Sequence, residues 1–215
     1  AVDRPERTGA NFSRIPQAIA LFSETYGPYP FSAAGGIADN AGFVGYALET
    51  QTKANYANEP GASTVVHEVA HEWFGNAVTP VQWRDIWLNE GFARWSEWYF
   101  TERTGGATAA VTFRANYNSR TTAYWTRPPA DLGGAEFLFA DPAYRRGAMT
   151  LQALRETIGE ADFFALLRTW YAENKYGNVT TAGFIETAER VSGQELSAFF
   201  QAWLYGTTRP PLPGA

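Results

Sequence analysis

The sequence predicts an α+β fold, helix-dominated, with a small sheet near the N-terminus. Three observations carry this reading. Apolar residues recur at helical spacing over 11–26 and over most of the chain beyond residue 60. Between Tyr29 and Asn58 the chain turns instead to glycine, aromatic and β-branched residues, the pattern of short strands and turns. Hydrophobic residues make up 45% of the 215, enough for one sizeable core, and no internal repeat divides the chain.

In chain order, the first ten residues are polar, contain Pro5 and Gly9, and read as a linker. A helix is expected over 11–26 (Phe12, Ile15, Ile19, Leu21, Phe22), stopped by Gly27-Pro28. Gly42–Thr50 is the best strand candidate of the following segment. Pro60-Gly61-Ala62-Ser63 opens a helix through Phe74, which Gly75-Asn76 ends. After a Val78–Gln82 connection, a second helix runs from Asp85 to Thr101. Two Gly-Gly pairs and Pro128-Pro129 make 105–142 loop-rich, with a helix near 107–118. Helices over 143–158, 161–173, 181–191 and 194–204 follow, separated by Gly159, Gly177 and Gly193. The tail Arg209–Pro213 is too proline-rich to be helical and is expected to be extended.

Composition excludes several function classes. A net charge of −5 argues against a nucleic-acid binder, which needs a basic face. No apolar run approaches the roughly 20 residues that span a bilayer. The Gly-Gly pairs at 35–36, 105–106 and 133–134 have no phosphate-loop context. With no cysteine, any metal must be held by nitrogen and oxygen ligands. The chain begins Ala1-Val2-Asp3, with neither initiator methionine nor signal sequence, as a processed protein or an excised domain would.

The only two histidines, His67 and His71, stand in His67-Glu68-Val69-Ala70-His71. On a helix, residues four apart share one face, so two imidazoles can grip one zinc ion at roughly 2.0–2.1 Å with the intervening Glu68 beside it as general base. Nineteen residues beyond His71, Trp87-Leu88-Asn89-Glu90-Gly91-Phe92-Ala93 offers Glu90 on a second helix as a third ligand. A two-histidine, one-glutamate set leaves the fourth position open, the property that separates a catalytic zinc from a structural one.

Residues 67–76 together with Asp85–Ala93 resemble the M1 aminopeptidases, gluzincin metallopeptidases whose third zinc ligand is the glutamate of an Asn-Glu-Gly-Phe-Ala segment. The resemblance implies a single thermolysin-like catalytic domain over 1–215, with a helix and small sheet over 1–60 and a helical zinc-binding lobe over 61–215. It implies further roles. Gly45-Tyr46-Ala47-Leu48-Glu49-Thr50 resembles the family's Gly-Ala-Met-Glu-Asn strand, so Glu49 takes the substrate's α-amino group; Tyr46, Leu48 and Thr50 stand for Gly, Met and Asn. Ala143–Ala148 is similar to a Tyr-x-Lys-Gly segment, which makes Tyr144 the hydrogen-bond donor to the oxyanion and puts Arg146 in place of lysine. Tyr26–Phe31 and Phe199–Tyr205 are similar to flanking segments of the same domain. The family's upstream β-rich domain, a contributor to the N-terminal pocket, has no counterpart in this sequence, nor does the large helical C-terminal domain of many members.

The expected reaction is removal of an N-terminal amino acid from peptides with a free N-terminus, by a water that zinc activates and Glu68 deprotonates. Thermolysin-like endopeptidase activity, epoxide hydrolysis and a non-catalytic scaffold remain as alternatives. Other residues have plainer readings. Glu97, seven after Glu90, lies on the same helical face, from which a carboxylate can orient a ligand imidazole, but reads first as a packed helix carboxylate. Glu72 reads as structural, Arg145 and Arg146 as helix-surface charge. Trp73, Trp83, Trp87, Trp95 and Trp98 read as packing around the metal-bearing helices.

Overall fold

The computed structural model describes residues 5–39 and 45–214 of the chain. It is helix-dominated, as the periodicity predicts, with two small sheets. Helix α1 (Pro5–Phe12) replaces the expected linker. Proline fits the first turn of a helix because its missing N–H would be unpaired there anyway. The helix is held by the Phe12 ring, 5.4 Å from that of Tyr56, and by Asn11 Nδ2 donating to the Pro60 carbonyl at 2.9 Å. Helix α2 (Arg14–Tyr26) follows and buries Ile15, Ala18, Phe22 and Tyr26.

The first sheet has the order β1 (Gly36–Ala38), β3 (Ala54–Tyr56), β2 (Ala47–Leu48). β1 runs parallel to β3, Gly36 opposite Ala54, and β2 antiparallel, Ala47 opposite Tyr56. Of the strand expected over Gly42–Thr50, residues 42–44 lie outside the described residues and Ala47–Leu48 is strand.

Helix α3 (Ala62–Ala70) carries His67 and Glu68, and His71 sits one residue beyond it, its N–H still bonded to the His67 carbonyl at 3.2 Å. The expected connection after it contains a strand, β4 (Val78–Pro80), paired in parallel with β5 (Gly177–Val179). A 3-10 turn (Trp83–Asp85) leads into α4 (Trp87–Arg103). The excursion that follows holds α5 (Ala109–Ser119) and two 3-10 turns, 122–126 and 135–137. A π-helical turn, Pro142–Arg146, runs into α6 (Gly147–Ile158). Then come α7 (Glu160–Asn174), α8 (Thr181–Ser192), α9 (Ser197–Phe200) and a closing π-helical turn, Gln201–Tyr205. The tail is not helical over 209–212, turns at 213–214, and is anchored: Tyr117 donates to the Pro210 carbonyl at 2.6 Å, and Arg209 to that of Tyr117 at 2.8 Å.

One aromatic core joins these helices, with Trp73, Trp87, Trp95 and Trp203 each at most 1% exposed. Helices α4 and α6 approach at backbone distance where Gly91 meets Gly147; a Cβ on Gly91 would lie 2.9 Å from the Gly147 Cα. That approach sets α4, which bears Glu90, directly against the segment that bears Tyr144.

Candidate metal centre and active site

Three sequence-predicted ligands converge. One donor atom from each of His67, His71 and Glu90 lies within 4.8 Å of the other two, and all three residues are buried. Glu90 Oε2 is 3.2 Å from His67 Nε2 and 3.5 Å from His71 Nε2. The two imidazole rings stand nearly perpendicular, 79° between planes.

The far side of each ring is also fixed. His71 Nδ1 lies 3.0 Å from the Phe74 carbonyl oxygen, an acceptor only, so Nδ1 carries a proton and Nε2, which faces Glu90, is the nitrogen that would offer its lone pair to a metal. His67 Nδ1 lies 2.6 Å from Glu97 Oε1. Glu97 is thus an orienting carboxylate, not the plain packed one its sequence position suggests; it also accepts from Arg94 Nη1 at 2.8 Å and from the Ser63 hydroxyl. Outer hydrogen bonds of this kind fix tautomer and ring orientation at metal centres. The donor set therefore suits a borderline divalent ion such as zinc: two imidazole nitrogens and one carboxylate converging on one point, each with its other face engaged.

Charge confirms how tightly the groups couple. Burial disfavours the His67 imidazolium, yet its hydrogen bonds to Glu90 and Glu97 outweigh this and push the group up to about 10. Burial likewise disfavours the Glu90 and Glu97 carboxylates, and the neighbouring histidines hold both below the usual range. Glu68 moves the opposite way: burial raises it, with Glu49 and Glu90 adding to the effect against the pull of His71 and His67.

The other predicted residues gather here too. A carboxylate oxygen of Glu68, one of Glu49 and a His71 nitrogen lie within 4.8 Å of one another. Tyr144, half-buried in the π-helical turn, lays its ring nearly parallel to that of His67, centroids 6.1 Å apart. Burial, reinforced by Glu90, Glu49 and Glu68, raises its phenol well above the usual value, so the group is a neutral donor. Glu49, Glu90 and Tyr144 line a cavity of about 750 Å³.

Three residues escaped sequence reasoning. Asn76 Nδ2 donates to the Glu49 carbonyl at 2.9 Å and to Glu72 Oε2 at 3.1 Å, tying the segment after β2 to the turn that follows α3. Glu72 is structural, as expected. Arg146 is no surface charge: it is fully buried and donates to the carbonyls of Trp203, Trp125, Arg127, Ala202 and Gly206. Arg145, by contrast, is partly exposed and paired with Asp141. Trp83 does not pack inside; it is 65% exposed on the cavity rim. For Asn76 the sequence signal is its place in the segment 67–76, and for Arg146 its place where the similar segment has lysine; neither shows what the side chain reaches, and for Trp83 there is no signal.

Residues 43–203 match the model of the peptidase family M1 domain. Aminopeptidase N of Streptomyces lividans is 31% identical over 159 residues, which is 69% of this chain and 19% of that protein. The tricorn protease-interacting factor F2 of Thermoplasma volcanium is 26% identical over 180 residues, 77% of this chain and 22% of that protein. Among solved structures, an M1 zinc metallopeptidase variant from Deinococcus radiodurans bound to a Tyr-Ser-Ala substrate superposes with a TM-score of 0.81 at 30% identity, covering 92% of this chain and 45% of that one. The chain thus spans about a fifth of the length of these curated relatives and under half of that neighbour. With its helix-dominated fold, its converging His67, His71 and Glu90, and the match over residues 43–203, the chain belongs to peptidase family M1, the M1 zinc metallopeptidases.

Proposed function

We infer that this domain is a zinc-dependent aminopeptidase acting on peptides with a free N-terminus. The observation that carries the reading is the placement of Glu49: its carboxylate lies within 4.8 Å of both Glu68 and a donor atom of His71. An anion there pairs the substrate's terminal ammonium and holds the first peptide bond over the catalytic groups, which sets the register at one residue.

His67, His71 and Glu90 would hold the ion. When bound, zinc supplies Lewis acidity, which polarises a carbonyl and brings the pKa of water toward 7. Glu68, with its raised carboxyl, takes a proton from the attacking water and delivers it to the leaving amine; a base poised nearer neutrality does both steps well. Tyr144 donates its phenolic hydrogen to the developing oxyanion, and its raised pKa keeps that proton in place.

The test is hydrolysis of an aminoacyl anilide against its N-acetylated counterpart by the zinc-loaded protein. Cleavage of the free amine alone, abolished by a chelator, supports the reading; preferential cleavage inside blocked peptides replaces it with an endopeptidase. Glu68→Gln should keep the metal and lose at least about a hundredfold in kcat. An active Glu68→Gln protein would sink the assignment of the base.

A further inference from the structure

One wall of the cavity takes no part in the chemistry above. Beyond the catalytic residues, its lining is largely apolar: Tyr46, Leu48, Val81, Trp83, Ile86 and Phe139. All of these except Ile86 are more than half exposed. Large apolar side chains gathered on one concave face mark a surface that something covers. Trp83 and Phe139 meet edge to face, centroids 6.5 Å apart and planes at 70°. They arrive from separate segments, the 3-10 turn before α4 and the stretch after the turn at 135–137, and Tyr46 comes from the residues leading into β2.

The charge pattern narrows what fits. Among the described residues, Glu49 and Glu90 are the only charged ones lining the cavity, and both belong to the metal end. Two polar neighbours on this wall are engaged: the Thr79 hydroxyl donates to the Gly75 carbonyl at 2.7 Å, and the Gln82 amide to Asp85 at 3.2 Å, while Asn89 Oδ1, beside Glu90 at the metal end, is buried without a partner among the described residues. An acidic side chain would meet no cation here, and a basic one no carboxylate away from the catalytic centre.

We propose that Tyr46, Trp83 and Phe139 form an apolar jaw that selects a bulky aliphatic or aromatic side chain flanking the scissile bond. The proposal rests on the aminopeptidase reading. At about 750 Å³ the cavity has room for such a side chain together with the peptide bond beside it. Its edge-to-face aromatic pair offers an aromatic substrate ring favourable stacking partners.

The experiment uses the zinc-loaded protein with two series, aminoacyl anilides X-anilide and dipeptides Ala-X, where X is Ala, Leu, Phe, Arg or Asp. Leu or Phe is expected to exceed Arg and Asp by at least about tenfold in kcat/KM in one of the two series. Trp83→Ala and Phe139→Ala should each cut kcat/KM for the Phe substrate about tenfold more than for the Ala substrate, mainly through KM. Equal or better use of Arg or Asp in both series overturns the proposal. So does an equal loss on every substrate in both variants. Calorimetric binding of L-phenylalanine and L-aspartate separates the two levels of the argument. If phenylalanine alone binds, and binding is lost in Trp83→Ala, the jaw stands even when no substrate is cleaved. Cleavage without apolar preference leaves the aminopeptidase and removes the jaw. Neither cleavage nor binding removes both.

Discussion

His67 Nδ1 lies 2.6 Å from Oε1 of Glu97, so the acid two turns beyond Glu90 on helix α4 holds the imidazole whose other nitrogen faces Glu90. One helix thus carries both a proposed metal ligand, Glu90, and the carboxylate that orients a second, His67. Glu97→Gln keeps the shape but turns a charged acceptor into a neutral one. Zinc affinity, measured by competition with a chromogenic chelator, should fall about 10- to 100-fold. Unchanged affinity would mean that helix packing alone orients the ring.

The same geometry sets a pH dependence that differs between metal-free and metal-bound protein. Hydrogen bonds to Glu90 and Glu97 raise the His67 imidazolium from 6.5 to about 10 despite its burial. A group raised in the folded state stabilises it fully below pH 6.5, and that stabilisation is lost as pH rises towards 10. The metal-free protein should therefore lose urea resistance over that window. A metal ion needs the neutral imidazole, so loading at pH 7.5 should release a proton. Calorimetry in buffers of different ionisation enthalpy measures it; zero release would show that His67 is already neutral without metal.

Asn76 joins two parts of the site that the chain separates by 27 residues, through its bond to the Glu49 carbonyl. Asn76→Ala frees the strand end that presents Glu49, the proposed ammonium anchor, while leaving the three proposed ligands in place. The expected signature is a KM for free-amine substrate raised about tenfold, with metal content unaltered, since misplacement by an ångström or less is costly. Loss of bound metal in this variant would instead assign Asn76 to the metal-bearing turn itself.

Gly91, next to Glu90, allows the close approach of α4 and α6. An added Cβ would lie 2.9 Å from the Gly147 Cα and 3.0 Å from its carbonyl carbon, backbone atoms that cannot rotate away. Overpacking of this kind costs about 1–3 kcal/mol, against a gain of about 1 kcal/mol from alanine's helix propensity. Gly91→Ala should lower the urea midpoint at constant slope and weaken zinc binding by shifting Glu90.

These residues show what the sequence makes legible. The proximity of His67, Glu68 and His71 is legible because they lie within one helical turn, and the approach of Glu90 because its flanking residues are as specific as its spacing. The pairing of β4 with β5 joins residues 99 positions apart in three-residue strands, Thr79 opposite Asn178, too short for any alternation to appear. The partners of Glu97 and Asn76 are equally tertiary: a sequence shows that a carboxylate or amide exists, not what it reaches. Trp83 follows from the same limit, because the composition of an aromatic-rich segment cannot separate a core tryptophan from one left on a cavity rim. α1 is illegible for a different reason: Pro5 and Gly9 read as linker residues and Phe12 is its one large apolar side chain, so no helical periodicity appears before the ring packs on Tyr56.

Arg146 provides the sharpest test of the fold around the site. It lies two residues from Tyr144 in the π-helical turn, and its guanidinium gathers five carbonyls from two distant segments, 125–127 and 202–206. Burial pushes its pKa down to about 10, so at neutral pH it remains charged with carbonyls rather than a carboxylate for partners. Lysine conserves the charge but has three donors in place of five, so Arg146→Lys leaves at least two carbonyls without this partner. Each buried acceptor left unpaired costs about 1–3 kcal/mol, so the expected loss for two is about 2–6 kcal/mol. Urea unfolding checks the magnitude. Because the two segments flank the turn that presents Tyr144, Arg146→Lys should also lower kcat while leaving zinc affinity nearly intact. A variant as stable as the parent would show that the carbonyls find other donors, and that this guanidinium does not hold the turn in place.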